Sequence, residues 1–344
     1  MRGILRDEMG FDGVLISDWA AIEETIYHGY CADKEDAAIR AVEAGVDIDM
    51  MTGIYCDNLC RLVREGKIPE SLVDECCMRI LELKNKLGLF ENPYKDADEE
   101  KEQQLILCKE HRELAREAAR KSFVLLKNEE QILPLDKTKK TAFIGPYVNS
   151  RNLMGSWSII GEAKDITTVE ETMAVEEAGN NVVCCQGSPM LGAEVILEGF
   201  TEENQATYTP EEEAKMLEEA LEAAKKADQV VLFIGEDRLQ SGEATSNATI
   251  QIPQIQQNLL ERVAEINENI AVVLFSGRPL DLRDVQVKAK AILEVWMPGT
   301  EGAGAITDVL YGRYNPTGKL PMSFPYCVGQ VPVHYNEYAT GRPH

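Results

Sequence analysis

The stretch QVVLFIGEDRLQSGEATSN, residues 229–247, runs through consecutive apolar residues from Val230 to Ile234 and turns polar at Glu236. An apolar run without polar alternation suits a strand covered on both faces, as in a parallel sheet flanked by helices. The pattern recurs. TAFIGP (141–146), NVVCCQG (181–187), AVVLFSGRP (271–279) and AILEVWMPG (291–299) read the same way, with helical stretches at 210–227 and 253–268 among them. Residues from about 120 to 330 therefore read as an open, doubly wound α/β domain, whose ligand-facing loops leave the carboxyl ends of its strands. Glu236, Asp237 and Glu243 stand on one such loop, which is expected at an edge of the sheet.

Towards the N-terminus the order is strand, helix, strand, helix: GVLIS (13–17), KEDAAIRAVEAG (34–45), VDIDMM (46–51) and IPESLVDECCMRILELKNKLG (68–88). The last has Pro69 in its first turn, Leu72, Val73, Cys76, Ile80, Leu83 and Leu87 at helical spacing, and Gly88 as a stop. NPYKDADEEKEQQ (92–104) reads as a polar linker, and LCKEHRELAREAARKSFVLL (107–126) as a helix leading into the second zone.

Composition narrows the partners. With 344 residues and 44% hydrophobic content the chain has material for two cores, and no 18-residue apolar run marks a membrane span. A net charge of -24 without a Lys/Arg block argues against nucleic acid and anionic membranes, which repel an acidic chain. Nine scattered cysteines without CxxC spacing suggest neither a zinc site nor a disulfide framework, so a cytoplasmic location is expected. MRGILRDEMG has no apolar core of a signal peptide; an export signal would lie outside this chain.

Asp18 follows GVLIS, and the carboxyl end of a strand is where a β/α barrel mounts catalytic groups. Trp19 beside it offers a flat wall for a sugar ring. Taken alone, Asp18 is more readily explained as a helix-capping acid. Likewise Glu236 and Asp237 read first as solvated acids of an acidic chain. Asp47 and Asp49 in VDIDMM read as loop supports before catalysts. Trp157 in MGSWS suits a second stacking wall and a core position equally well.

Taken together, GFDGVLISDW, AVEAGVDIDMM, AREAARKSFVLLKNEEQILPL, MGSWS, SGEATSN and VWMPGTEGAGAITDVLYGRYNPTGKLPMSFP resemble glycoside hydrolase family 3, the β-glucosidase and β-xylosidase family. The resemblance maps the retaining nucleophile onto Asp18, the aglycone-side tryptophan onto Trp19 and the general acid/base onto Glu243. A retaining enzyme holds two such carboxyl groups roughly 5–5.5 Å apart, one attacking the anomeric carbon and one protonating the leaving oxygen. No metal or organic cofactor is required. Where the family often carries arginine this chain has Asn247, which predicts weaker ion-pair support for the loop.

A β/α barrel takes roughly 200–250 residues, and the residues before Asn92 supply two strand-helix units. The resemblance makes these the last two of a (β/α)8 barrel (1–95). A linker and helix (96–120), the doubly wound sandwich (121–330) and a tail towards a fibronectin-like domain (331–344) follow. The sugar-gripping Lys-His pair of earlier barrel strands has no counterpart here. The expected function is a retaining glycoside hydrolase releasing terminal β-D-glucose or a related sugar from a glycoside or oligosaccharide, in an incomplete chain. The alternative is a non-catalytic carbohydrate-binding or remnant module that pairs with another chain. A partial barrel also exposes an apolar edge, which favours self-association.

Overall fold

A computed structural model of the chain describes residues 1–158, 161–192, 208–243, 245–336 and 338. They fall into two compact units, Met1–Gln103 and Gln104–His344. Among the described residues no helix is long and apolar enough to cross a membrane.

In the first unit a π-helical turn, Arg2–Glu8, precedes helices α1 (Ala21–Tyr27), α2 (Lys34–Ala44), α3 (Ile54–Arg64) and α4 (Glu70–Lys86). Asp33 caps α2 by accepting the Asp36 N–H at 2.9 Å, and Gly45 closes it in the left-handed region at φ 86°. The expected strands 13–17 and 46–51 reduce to a single parallel bridge, Ile16 to Ile48. Two strands alone form a marginal sheet, and here side chains do much of the pinning. Asp47, fully buried, accepts the Leu15 N–H at 2.9 Å and pairs with Arg6 and Arg79, each at 2.8 Å. Ile22, Ala38, Val42, Ile54 and Leu62 form the core. The apolar stripe on α4 is only partly covered: Cys76 is buried, whereas Leu83 and Leu87 are exposed. Helix α5 (Glu99–Leu105) occupies part of the stretch expected as linker.

The second unit is mixed α/β with a mainly parallel sheet. Helix α6 (Lys109–Ser122) ends four residues before the expected limit, and β1 (Val124–Asn128) takes the FVLL run instead. Phe123 turns extended at φ -66° and ψ 136° and is buried, so the chain leaves the helix to place Phe123 in the core. The strands β2 (Thr141–Ile144), β3 (Val182–Cys185), β4 (Gln229–Gly235), β5 (Ile270–Phe275) and β6 (Ala291–Glu294) follow, interleaved with helices α7 (Val169–Val175), α8 (Pro210–Lys226), α9 (Gln254–Ala264), α10 (Arg283–Lys288) and α11 (Gly302–Leu310). Sheet order is β1-β6-β5-β4-β2-β3, with only the β1/β6 pair antiparallel.

Strand periodicity sends alternate residues to two cores. Phe143, Val231, Phe233, Val273 and Phe275 join one cluster; Ile144, Val230, Leu232, Ile234 and Leu274 join the other. Every residue of β4 is buried, as its unbroken apolar run required. From β2 the chain crosses to β3 on one side and then to β4 on the other, so the order reverses between β2 and β4. The crevice outside the carboxyl ends of two such strands is the usual ligand site of an open α/β sheet.

Candidate active site

The loops leaving β2 and β4 meet at that reversal. At the end of β4, Gly235 passes so close to β5 that a Cβ would collide with the Phe275 carbonyl oxygen. Glu236 follows, 1% exposed, with its N–H donating to Phe275 O at 2.9 Å. Tyr147, from the β2 loop and stacked on Phe275 at 3.9 Å, donates its hydroxyl to the Glu236 carbonyl. Asp237 caps the turn Arg238–Gln240, accepting the Leu239 N–H at 2.9 Å and the Asn152 amide at 2.8 Å. Gly242, at φ 114°, lies against the β2 loop: a Cβ would meet Ser156 and come within 3.7 Å of Trp157 Nε1. Glu243 comes next and is exposed. Trp157 is 69% exposed, which settles its reading against a core position.

Glu236 and Asp237 are not the solvated acids their sequence context suggested. The Glu236 carboxylate lies 3.2 Å from Arg278 Nε and accepts the Gly277 N–H at 3.3 Å and the Asn247 amide at 3.4 Å. Burial pushes both acids up from the ordinary carboxylate range, opposed by Arg278 at Glu236 and by the Leu239 N–H at Asp237. Glu294, at the end of β6, is fully buried and accepts the Trp296 N–H at 2.8 Å and the Ser276 hydroxyl at 3.2 Å. Burial raises its carboxyl to about 8, so it is mostly protonated at neutral pH. Sequence reasoning missed Arg278 and Glu294. SGRP after β5 and LEV within β6 placed both at strand ends, yet no local spacing links either to Glu236.

In the first unit Asp18 is exposed just past the bridged strand, and its Oδ1 accepts the Trp19 N–H at 2.7 Å. It does not cap α1: Ala20 holds the N-cap position, at φ 54°, with no side-chain cap. A non-glycine residue in that region is strained, and such strain clusters at functional sites. Ser17 Oγ accepts the Met50 N–H and donates to the Asp18 carbonyl, both at 2.9 Å, tying the two strand ends. Trp19 is 63% exposed. Asp47, held by two arginines, is a structural anchor, and Asp49 accepts the Thr52 hydroxyl at 2.7 Å. Asp18 and Trp19 thus belong to one unit, Trp157 and Glu243 to the other. Among the described residues no group of three or more His, Cys, Asp or Glu side chains is arranged to hold a metal ion.

Residues 1–83 match the glycosyl hydrolase family 3 N terminal domain and residues 123–344 its C-terminal domain. The chain belongs to glycosyl hydrolase family 3. It is 40% identical to a periplasmic beta-glucosidase of Salmonella typhimurium over 100% of its own length and 46% of that protein's. A beta-xylosidase of Formosa agariphila is 33% identical, covering 98% of this chain and 46% of that one. Among solved structures, the beta-glucosidase of Listeria innocua in complex with isofagomine superposes with a TM-score of 0.86 at 40% identity, over 100% of this chain and 45% of that one. A point mutant of that enzyme in complex with laminaribiose gives 0.85. The chain therefore spans about half the length of the family 3 relatives it matches.

Proposed function

We propose that the chain carries the two catalytic carboxylates of a retaining glycoside hydrolase that releases terminal β-D-glucose, or a related sugar, from β-glucosides. The observation that carries this reading is a pair of exposed acids, each held at a strand's carboxyl end: Asp18 beside Trp19, and Glu243 on the loop beside Trp157. Similarity to enzymes named as β-glucosidases supports the substrate class.

In the first step Asp18 attacks the anomeric carbon while Glu243 protonates the departing oxygen. In the second, Glu243 takes a proton from water, and that water's oxygen displaces Asp18 from the sugar. Trp19 and Trp157 supply apolar faces for sugar rings. Residues 1–95 are read as the end of a (β/α)8 barrel, 96–120 as linker and helix, and 121–330 as a doubly wound sandwich. Of the tail 331–344, residues 337 and 339–344 lie outside the described residues.

Positioning of reactants supplies on the order of 7–11 kcal/mol of barrier reduction. The grip on the sugar is assigned to residues outside the matched half of the relatives, so the isolated chain is expected to turn over aryl β-glucosides poorly. Ile16, Met9, Phe11 and Met51 are exposed apolar side chains on the first unit and support self-association. The cytoplasmic location proposed from the cysteine spacing in the sequence is checked by cell fractionation. The function is tested in a chimera in which residues 1–344 replace the matched part of the Listeria innocua β-glucosidase. Turnover abolished by Asp18→Asn supports the reading, and a chimera that only binds sugar favours the non-catalytic module.

A further inference from the structure

The loop that carries Glu243 is closed at its root by a ring of polar contacts, which no single stretch of sequence announces. Arg278, on the β5 loop, reaches two points with one guanidinium: its Nε lies 3.2 Å from the Glu236 carboxylate, and its Nη2 donates to the Gln240 carbonyl. Asn247, on the far limb of the loop, reaches the same two points, donating to the Glu236 carboxylate and to the Gln240 carbonyl, each at 3.4 Å. Asn247 thus hydrogen-bonds both points, while Arg278 hydrogen-bonds the Gln240 carbonyl and stands as an ion pair beside Glu236, its Nε making no hydrogen bond. Glu236 is fixed in turn by the β4–β5 pairing and by Tyr147. Only Ser241 and Gly242 separate Gln240 from Glu243, and Ser241 is buried against Gly277, so Glu243 follows directly on the clasped segment.

We propose that Arg278 and Asn247, acting on Glu236 and Gln240, are positioning residues that hold the Glu243 carboxyl in place. The proposal rests on the assignment of Glu243 as acid/base, and it goes beyond that assignment by naming what fixes it. At position 278 the arginine fork reaches both points at once, whereas a lysine ammonium supplies charge at one. The chemistry of acid catalysis gives a signature that instability does not share. A displaced general acid slows departure of poor leaving groups, which need a proton, and spares good ones, which do not.

The test has two arms. In the 344-residue chain, amide hydrogen exchange is measured at residues 238–243 and in β5, together with the 19F resonance of 5-fluorotryptophan at Trp157. Arg278→Met and Arg278→Lys are both expected to raise exchange at 238–243 on the order of tenfold and to broaden the Trp157 signal, with β5 unchanged. Unchanged loop exchange, or full restoration by lysine, overturns the bridging role. In the chimera the same variants should lower kcat/KM for phenyl β-glucoside and spare 2,4-dinitrophenyl β-glucoside; an equal loss on both overturns positioning. If Glu243→Gln leaves the chimera's turnover of phenyl β-glucoside intact, the acid/base assignment fails and with it the claim that catalysis is what the clasp serves, while the exchange arm still decides whether the clasp orders the loop.

Discussion

A carboxyl kept neutral inside the sheet adds a titration of its own to the stability of this protein. Glu294 ordinarily titrates near 4.5, and burial lifts it to about 8 in the folded state. Between those values the folded chain holds a proton that the unfolded chain has lost. The stabilisation is complete below about 4.5, falls as pH rises, and levels off above about 8, a change on the order of a few kcal/mol. Glu294→Gln keeps the shape and removes the titration, so thermal unfolding from pH 5 to pH 9 should show a flatter profile for the variant and a higher Tm than wild type at pH 9. Parallel profiles would show that Glu294 is ionised throughout. Glu243 sits in contrasting surroundings, exposed; in the chimera Glu243→Gln should cost roughly 100- to 10,000-fold in kcat/KM on a poor leaving group, measured by initial rates on phenyl β-glucoside.

At the scale of elements, β4 and the loop after it depend on the backbone of Gly235 lying against Phe275. Gly235→Ala should destabilise the second unit by more than about 1 kcal/mol, seen as a lower denaturation midpoint with unchanged slope. Helix α6 is fastened to α11 by Asp308, which Arg116, Arg120 and Arg313 approach at 2.7, 3.2 and 2.8 Å. Burial alone would raise the Asp308 carboxyl, but Arg116 and Arg313 outweigh it and hold it below the usual aspartate range. That contribution is present above the unfolded pKa and is lost as pH falls through the folded one. Asp308→Asn should cost about 3 kcal/mol at pH 7, towards the low end for a buried pair because the arginines remain partly in water. The interior parallel strands were legible because burial on both faces demands unbroken apolar runs. The edge strand β1 was not, since FVLL continues a helical pattern and only its antiparallel partner β6 decides it. The expected sheet-edge position of Glu243 also gave way: β4 lies inside the sheet, and the loop stands at its carboxyl end. Glu243 and Asp18 are assigned by motif resemblance, whereas Arg278 escaped because its contacts join positions about 40 residues apart in sequence.

For the whole molecule, the two halves differ in how completely they are built. The second unit encloses two cores around six strands, whereas the first rests on one bridged strand pair and the Asp47 clamp, with Ile16 open beside it. Sedimentation of the isolated chain should therefore show concentration-dependent association, reduced by Ile16→Asp. As the proposed nucleophile, Asp18 forms a covalent bond to the sugar during turnover. The direct measurement is to treat the chain alone, the chimera and its Asp18→Asn variant with an activated 2-deoxy-2-fluoro-β-glucoside, which slows release of the glycosyl intermediate, and to locate the adduct by mass spectrometry of peptides. A fluoroglucosyl label is expected on the peptide containing Asp18 in the chimera, little in the chain alone and none after Asp18→Asn. A label on any other residue, or undiminished turnover by the Asp18→Asn chimera, would contradict that role for Asp18.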